Sequence, residues 1–312
     1  MTPAVKEKLT ALLPGRVKFD ASLAEMTTFG LGGPAETLAE PDSPEELAGL
    51  LGLVRAELLP SFILGGGSNV LFRDGGFPGV VIRLGRGFAD LKTIAGEGDE
   101  VLIEAGAAAA TAALVRLTRR QGLSGLEFMA GLPGWVGGAL AMNAGTREAG
   151  IVDAVQRLEI MASDLEVRRL EKGEIKSRYR GLDLPEGAVI LKAVFGLKRG
   201  RPELVEAKVL EVLAARRASQ PRGVKSAGCV FKNPPGEAAG RLIDRAGLKG
   251  RRKGGAWVAE EHANFIVHRG QATAGQVIGL LEEVRTVVRE KFAVELEPEI
   301  KIVGRDPQGA IG

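Results

Sequence analysis

Ile63-Leu-Gly-Gly-Gly-Ser-Asn-Val-Leu-Phe72 sets three glycines, a serine and an asparagine between two short apolar runs. Glycine reaches positive φ and lets a backbone approach a ligand with no Cβ in the way. Consecutive N–H groups in such a turn form a concavity suited to phosphate oxygens. A plain connection between two strands needs only one or two glycines, so the stretch reads either as a tight turn or as a phosphate cradle. It is not the fingerprint G-x-G-x-x-G. Gly65–Val70 reads GGGSNV, no helical pattern follows, and no acidic residue ends a strand about 20 residues later. A nucleotide held here requires a different architecture.

Outward from this loop the chain alternates helices and strands. Upstream, Pro3–Leu13 reads as a helix and Thr37–Glu40 as a strand. Ser43-Pro44-Glu45-Glu46 opens a helix to about Leu59, with serine as N-cap, proline at the first helical position and glutamate completing a capping box. Downstream, strands are expected at Gly79–Leu84 and Glu100–Ala105, then a helix Ala110–Gln121 closed by Gly122. Gly125–Gly145 is a second glycine-dense block, too rich in glycine for an isolated helix at about 1 kcal/mol per interior glycine. It must pack closely on a strand or a flat ligand. Val155–Ala162 and Leu165–Leu170 read as a hairpin and Ala188–Lys198 as a third strand. After Arg201-Pro202 the expected order is helix 202–219, strand 224–232, helix 236–246, strand 264–268, helix 273–291 and strand Pro298–Val303.

Length and composition fit a globular chain of two or more units: 312 residues, 45% hydrophobic and 26% charged, with no apolar run near the ~20 residues that span a membrane. No signal-peptide core is visible in Met1–Gly15, and the single cysteine excludes an internal disulfide framework, so a reducing, cytoplasmic setting is expected. One cysteine and two histidines are too few for a structural zinc site, and no metal is expected. Net charge is only +3, yet Arg216–Lys253 carries eleven Lys/Arg against Glu237 and Asp244. Such a surface suits an anionic partner. Its one aromatic, Phe231, offers no stacking platform, so nucleic acid is not expected.

Several side chains stand out chemically. Cys229, in Ser226-Ala-Gly-Cys-Val-Phe-Lys-Asn-Pro234 near Lys225 and Lys232, is a proton donor at its reference pKa of ~8.5 and a nucleophile if cations lower it. It is equally a small buried hydrophobe. Arg180, beside Tyr179, the chain's only tyrosine, offers a fork for a carboxylate or a developing enolate. On a strand, Glu299 and Lys301 share one face, so Glu299 points into a site or into water. His262, in His262-Ala-Asn264, caps a turn or meets a ligand.

Six ordered motifs now stand together: T-T-F-G-L-G-G-P-A (27–35), L-G-G-G-S-N-V-L (64–71), A-G-L-P-G-W-V-G-G-A-L-A-M-N-A-G (130–145), S-A-G-C-V-F-K-N-P (226–234), H-A-N-F-I-V (262–267) and L-E-P-E-I-K-I-V-G (296–304). Over roughly residues 20–304 the chain resembles the UDP-N-acetylenolpyruvoylglucosamine reductase (UDP-N-acetylmuramate dehydrogenase) family of peptidoglycan precursor synthesis, in its shorter form. The resemblance implies an α+β chain with a vanillyl-alcohol-oxidase-like (PCMH-type) FAD-binding fold of two α+β subdomains plus a C-terminal α+β substrate-binding domain. Residues 1–75 form the N-terminal FAD-binding subdomain, 76–204 the second, 205–304 the substrate domain and 305–312 a tail.

The same resemblance implies non-covalent FAD and NADPH as electron donor. Cofactor contacts fall to Gly65, Gly66, Gly67, Ser68 and Asn69 at the pyrophosphate, and to Gly131, Pro133, Gly134, Gly137, Gly138, Asn143, Ala144 and Gly145 along the flavin. Hydride passes from flavin N5 to the enolpyruvyl group of UDP-N-acetylglucosamine enolpyruvate. Arg180 and Glu299 stabilise the developing charge, and Cys229, at a place often held by serine, protonates the second carbon. Tyr179, Gln220, Lys225, Lys232, Asn233 and His262 are the expected substrate contacts, in a monomer with no membrane partner. The chain departs from the family pattern at Met26, at Gly30 where arginine is usual, and at Gly181-Leu182 where a serine usually follows Arg180 by two places. Two rival readings are a flavin oxidase or dehydrogenase acting on an alcohol or hydroxy acid, which needs no general acid, and a nucleotide-binding protein without catalysis.

Overall fold

The computed structural model describes residues 1–94, 96, 98–146 and 149–307. Local codes set the first elements. In the helix Pro44–Ala56 the Ser43 hydroxyl accepts the Glu46 N–H, and Leu47, Leu50, Leu51 and Val54 are buried at helical spacing. The helix stops three residues short of expectation, with Leu58 in the left-handed region at φ 50° ahead of Pro60. A four-stranded sheet runs in the order Val17–Ser22, Pro34–Ala39, Phe77–Ile82, Ser61–Ile63.

The larger sheet has the main path Val167–Glu171, Val155–Met161, Val189–Arg199, Glu100–Gly106, Leu91–Ile94, with antiparallel neighbours throughout. The expected hairpin and third strand are its first three members. Period-two alternation sorts its faces. Leu158, Ile160, Ile103, Ala105, Ala193 and Phe195 are buried. On the other face Lys92, Glu104, Lys192, Glu159 and Arg169 make a row of alternating charge across all five strands, neighbours lying 3.0, 3.9, 3.4 and 4.0 Å apart. Cross-strand opposite charges of this kind each add a few tenths of a kcal/mol. The helix Thr111–Arg120 ends with Gly122 at φ +64°.

The chain divides into two units. Unit one comprises Met1–Lys18, Leu38–Gly66 and Val80–Arg216; unit two comprises Phe19–Thr37, Gly67–Gly79 and the chain from Arg217. In unit two, Val277, Leu280, Leu281, Val284 and Val288 of the helix Ala274–Phe292 pack with Phe29, Leu71, Phe231, Leu296 and Ile300. Thr273 and Gln276 close that helix with a capping box, and both Asp74 carboxylate oxygens accept its Ala274 and Gly275 N–H groups at 2.8 Å. A short parallel ladder joins Val70–Phe72 to Lys301–Val303.

Three expectations change in unit two. The strand expected over 224–232 is replaced by single bridges, Lys225 with His268, Cys229 with Phe265 and Phe231 with Pro298, because Gly228 turns the chain at φ +78°. The strand expected from Pro298 begins at Lys301. An unexpected hairpin, Arg252–Lys253 with Ala256–Val258, comes from a Lys/Arg/Gly-rich stretch that reads as loop. The end of the tail, from residue 308, lies outside the described residues. Among the described residues no helix is long and apolar enough to cross a membrane, and no group of His, Cys, Asp and Glu is arranged to hold a metal.

Candidate functional site

In unit one the two glycine blocks meet. A methyl group at Gly66 would lie 2.6 Å from Gly134 Cα and 2.8 Å from Trp135 N, and one at Gly137 would lie 2.8 Å from Ala107 Cβ. A methyl group at Gly65 would make only ordinary contact with Gly138, 3.6 Å from its Cα. This packing lets a six-residue helix, Val136–Ala141, form despite its glycines, with Val136 and Gly137 N–H donating to Ala109 and Ala107 carbonyls. Gly131 and Gly134 take φ of +80° and +115°, and Pro133 is exposed. Backbone packing and positive φ thus account for Gly66, Gly131, Gly134 and Gly137.

Gly138 is different. It sits inside that helix, exposed, and a side chain there would meet nothing within 4 Å. No contact of the described chain requires a glycine at this position, although alanine is the better helix former by about 1 kcal/mol. An open glycine beside Gly65 and Gly66 fits a flat or phosphate-bearing ligand brought close to the backbone, and so the residues present fit FAD.

The second block continues directly to the arginine. Asn143, at φ 40°, accepts the Val152 N–H on its side-chain oxygen and donates from its amide nitrogen to the Arg178 carbonyl at 3.3 Å. Ala144 closes the turn by donating its N–H to Ala139 at 2.7 Å. The Gly145 carbonyl accepts from Arg180 Nη1 at 3.2 Å. Arg180 is the second residue of a two-residue turn between Lys176–Arg178 and Gly181–Asp183, at φ +57°. That region favours glycine, and a larger residue pays on the order of 1 kcal/mol to stay there. The guanidinium also lies 5.1 Å from the ring centre of Tyr179, which is 48% exposed. Unit one therefore gathers Gly65, Gly66, the 131–145 block, Tyr179 and Arg180.

Unit two gathers the other half of the expected set. Gly67, at φ +66°, packs on the Met26 carbonyl and accepts the Thr28 N–H; the Thr28 hydroxyl donates to the Ser226 carbonyl at 2.8 Å. Ser68 is half-buried beside them. Cys229, half-buried, precedes Val230, whose carbonyl accepts the Glu299 N–H at 2.8 Å. Cys229 and Glu299 are thus on adjacent segments. The Asn69 side chain donates to the Glu299 carbonyl at 3.0 Å.

Sequence reasoning passed over Asn264, which is 2% exposed. Its side chain accepts the Phe231 N–H at 3.0 Å and donates to the Phe231 carbonyl at 2.8 Å, while its own carbonyl accepts the Val230 N–H. An amide side chain here does the work of a neighbouring strand. The available signal was a lone amide in the apolar run Ala263–Val267.

Among the expected substrate contacts, Asn233 caps the helix Ala239–Arg245 by accepting the Ala239 N–H, and Lys232 is ion-paired with Glu297. Gln220 is half-buried just after the helix Pro202–Ser219. The Lys225 side chain lies across Gly30, where an added Cβ would stand 2.7 Å from its Nζ. The small residue at 30 is what leaves Lys225 that path. Other cations of the basic segment are ion-paired as well. Lys249 pairs with Asp244, Arg251 with Glu283, and Arg241 and Arg245 with Glu237.

Both histidines are held below their ordinary pKa, chiefly by desolvation. His262 is half-buried, accepts the Asn264 N–H and sits edge-on to Phe265. His268 is fully buried and stacked on Phe29. Its Nδ1 accepts the Gly270 N–H, so the neutral ring donates from Nε2 to the Phe29 carbonyl at 2.6 Å. The unfolded chain binds protons near pH 6.5 that the fold resists, so stability is complete above that value and declines as pH falls towards the lower folded pKa values. Urea midpoints from pH 8 to 5 will show this decline, shallower in His268→Gln; identical slopes in parent and variant would remove His268 from the account.

Residues 220–303 match the family model for the UDP-N-acetylenolpyruvoylglucosamine reductase C-terminal domain, and residues 35–171 match an FAD binding domain. The UDP-N-acetylenolpyruvoylglucosamine reductase of Syntrophus aciditrophicus (strain SB) is 41% identical over 302 residues, covering 97% of this chain and 96% of that protein. The enzyme of the same name from Acidiphilium cryptum (strain JF-5) is 42% identical over 313 residues, covering 99% of each. The crystal structure of UDP-N-acetylenolpyruvylglucosamine reductase from Thermus caldophilus superposes with a TM-score of 0.77 at 39% identity, covering 92% of this chain and 97% of that one.

Proposed function

This chain belongs to the UDP-N-acetylenolpyruvoylglucosamine reductase family of FAD-dependent oxidoreductases, and on that premise we propose that it uses NADPH to reduce UDP-N-acetylglucosamine enolpyruvate to UDP-N-acetylmuramate. Its α+β architecture is the PCMH-type FAD-binding fold with a C-terminal substrate-binding domain. The reading places the chain in the cytoplasm as a monomer and keeps the division into 1–75, 76–204 and 205–304. Bound FAD supplies the hydride relay between NADPH and the enolpyruvyl double bond.

The protein's own groups do the rest. Gly65, Gly66 and the 131–145 block receive the cofactor against bare backbone, with Gly67 and Ser68 continuing the loop. Arg180 holds the substrate carboxylate and stabilises the negative charge that grows beside it. Cys229 gives its thiol proton to the carbon next to that carboxylate. Glu299 stabilises the same charge, protonated or through water. Lys225 and Gln220 face the diphosphate, with Lys232, Asn233 and His262 around it and Tyr179 beside the carboxylate. The adjacency of Cys229 and Glu299, joined through the Val230 carbonyl, is the observation that carries this assignment.

Anaerobic flavin spectroscopy tests the whole reading. NADPH should bleach the bound flavin, and UDP-N-acetylglucosamine enolpyruvate should restore the oxidised spectrum. Bleaching without restoration would favour the oxidase reading, and a protein that binds no flavin would end this one.

A further inference from the structure

Asn69 closes the Gly65–Asn69 loop and is among the cofactor contacts that the family resemblance implies, yet its side chain is directed elsewhere. Its amide nitrogen donates to the Glu299 carbonyl at 3.0 Å, and its own carbonyl accepts the Lys301 N–H at 3.0 Å. The regular ladder between the two segments starts one residue later, with Val70 opposite Lys301. The side chain thus adds a rung beyond the end of the ladder, at the residue whose carboxyl is assigned to charge stabilisation. On its other side the Glu299 N–H is held by the Val230 carbonyl at 2.8 Å. The two peptide groups flanking the Glu299 Cα are therefore both tied, one to the glycine loop and one to the segment that carries Cys229.

We infer that Asn69 is a positioning residue: by clamping the Glu299 carbonyl it sets the direction in which the Glu299 carboxyl leaves the backbone, relative to Cys229. This rests on the proposed role of Glu299. A carboxyl on a half-buried segment outside any regular strand has no ladder to fix its φ and ψ, and a misplacement of about 1 Å at a reacting group is enough to cost on the order of 100-fold in rate. A single neutral hydrogen bond accounts for a smaller share, about tenfold. The loop has two jobs on this account. Its glycines admit the cofactor, and its last side chain aligns the group that acts on the substrate.

The test compares the two half-reactions in the FAD-loaded enzyme. With FAD saturating, Asn69→Ala should affect reduction by NADPH far less than reoxidation by the substrate, because Glu299 has no part in the NADPH step. Reoxidation by UDP-N-acetylglucosamine enolpyruvate should slow about tenfold, with amide exchange of the peptide covering 297–301 accelerated. Asn69→Asp keeps the shape but donates only when protonated, so its reoxidation should be at least as slow as the alanine variant's at pH 8 and recover relative to the parent only as pH approaches the carboxyl range, about 4. It also serves if the alanine variant loses its flavin. Glu299→Gln, measured alongside, separates the two claims. If it slows reoxidation while both Asn69 variants match the parent, or if they slow both half-reactions in proportion to lost FAD, the positioning role is wrong. If Glu299→Gln itself reoxidises at the parent rate, the role assigned to Glu299 fails instead.

Discussion

Cys229→Ala is expected to leave NADPH bleaching of the flavin intact and to slow its reoxidation by the enolpyruvyl substrate about 10²–10⁴-fold, the usual contribution of a positioned general acid. The cause is local. The chain turns at Gly228 and bridges Phe265 at Cys229, so the thiol is held on a fixed segment next to the one that carries Glu299. Removing Sγ takes away the proton donor but none of the hydrogen bonds that Val230 and Phe231 make with Asn264, because those run through main-chain atoms of the neighbouring residues. Thermal stability should therefore stay close to the parent's, and the kinetic loss can be read as chemistry. Serine at 229 restores a hydroxyl donor and should recover most of the rate. Rapid-mixing anaerobic spectroscopy gives both half-reactions in one experiment. Reoxidation at parental speed in the alanine variant would mean that the proton arrives by another route.

The second large effect is a contrast between two glycines of the same cradle. Gly66→Ala drives a methyl group to 2.6 Å from Gly134 Cα, where both partners are backbone and neither can turn aside. Overpacking of this kind costs about 1–3 kcal/mol or more, and the shift it forces falls on the Gly134–Trp135 peptide at the start of the helix Val136–Ala141. Loss of bound flavin together with a clear drop in the unfolding midpoint is the expected result. Gly138→Ala meets no atom within 4 Å and improves a helical position. It should raise the stability of the flavin-free protein by roughly 0.5–1 kcal/mol while weakening FAD binding at least tenfold, as followed by flavin fluorescence. A Gly138→Ala protein that keeps parental FAD affinity would show that the cofactor does not approach that helix.

The parts of the fold legible in sequence are those whose code is local. Ser43 and Pro44 mark a helix start, Gly122 marks a helix end, and the alternation in Val155–Leu170 predicts a hairpin, because each signal acts within a few residues. The 224–232 segment fails the same treatment. It looks like a strand by composition, but its partners come from His268, Phe265 and Pro298, and one of its ladders is replaced by the side chain of Asn264. Asn69 shows the same limit, since its partner Glu299 lies 230 residues away. The motifs themselves were visible, and they pointed to the family that near-full-length relatives show. Which glycines serve packing and which leave room needed coordinates: Gly66 and Gly138 are indistinguishable as letters.

The internal ion pairs of the basic segment bear on how ligands arrive. A run with eleven cations and two acids suggests a strong attractive field, the kind that lifts association towards 10⁸–10⁹ M⁻¹s⁻¹ and weakens steeply with salt. Glu283 and Glu297, brought in by the fold from elsewhere in the chain, join Asp244 and Glu237 at contact distance, so four carboxylates stand against the eleven cations and a surplus of +7 remains. What is left acts over about one screening length, roughly 8–10 Å at physiological salt. Capture of a small anion is then expected to be steered at close range, with an association rate that falls as ionic strength rises.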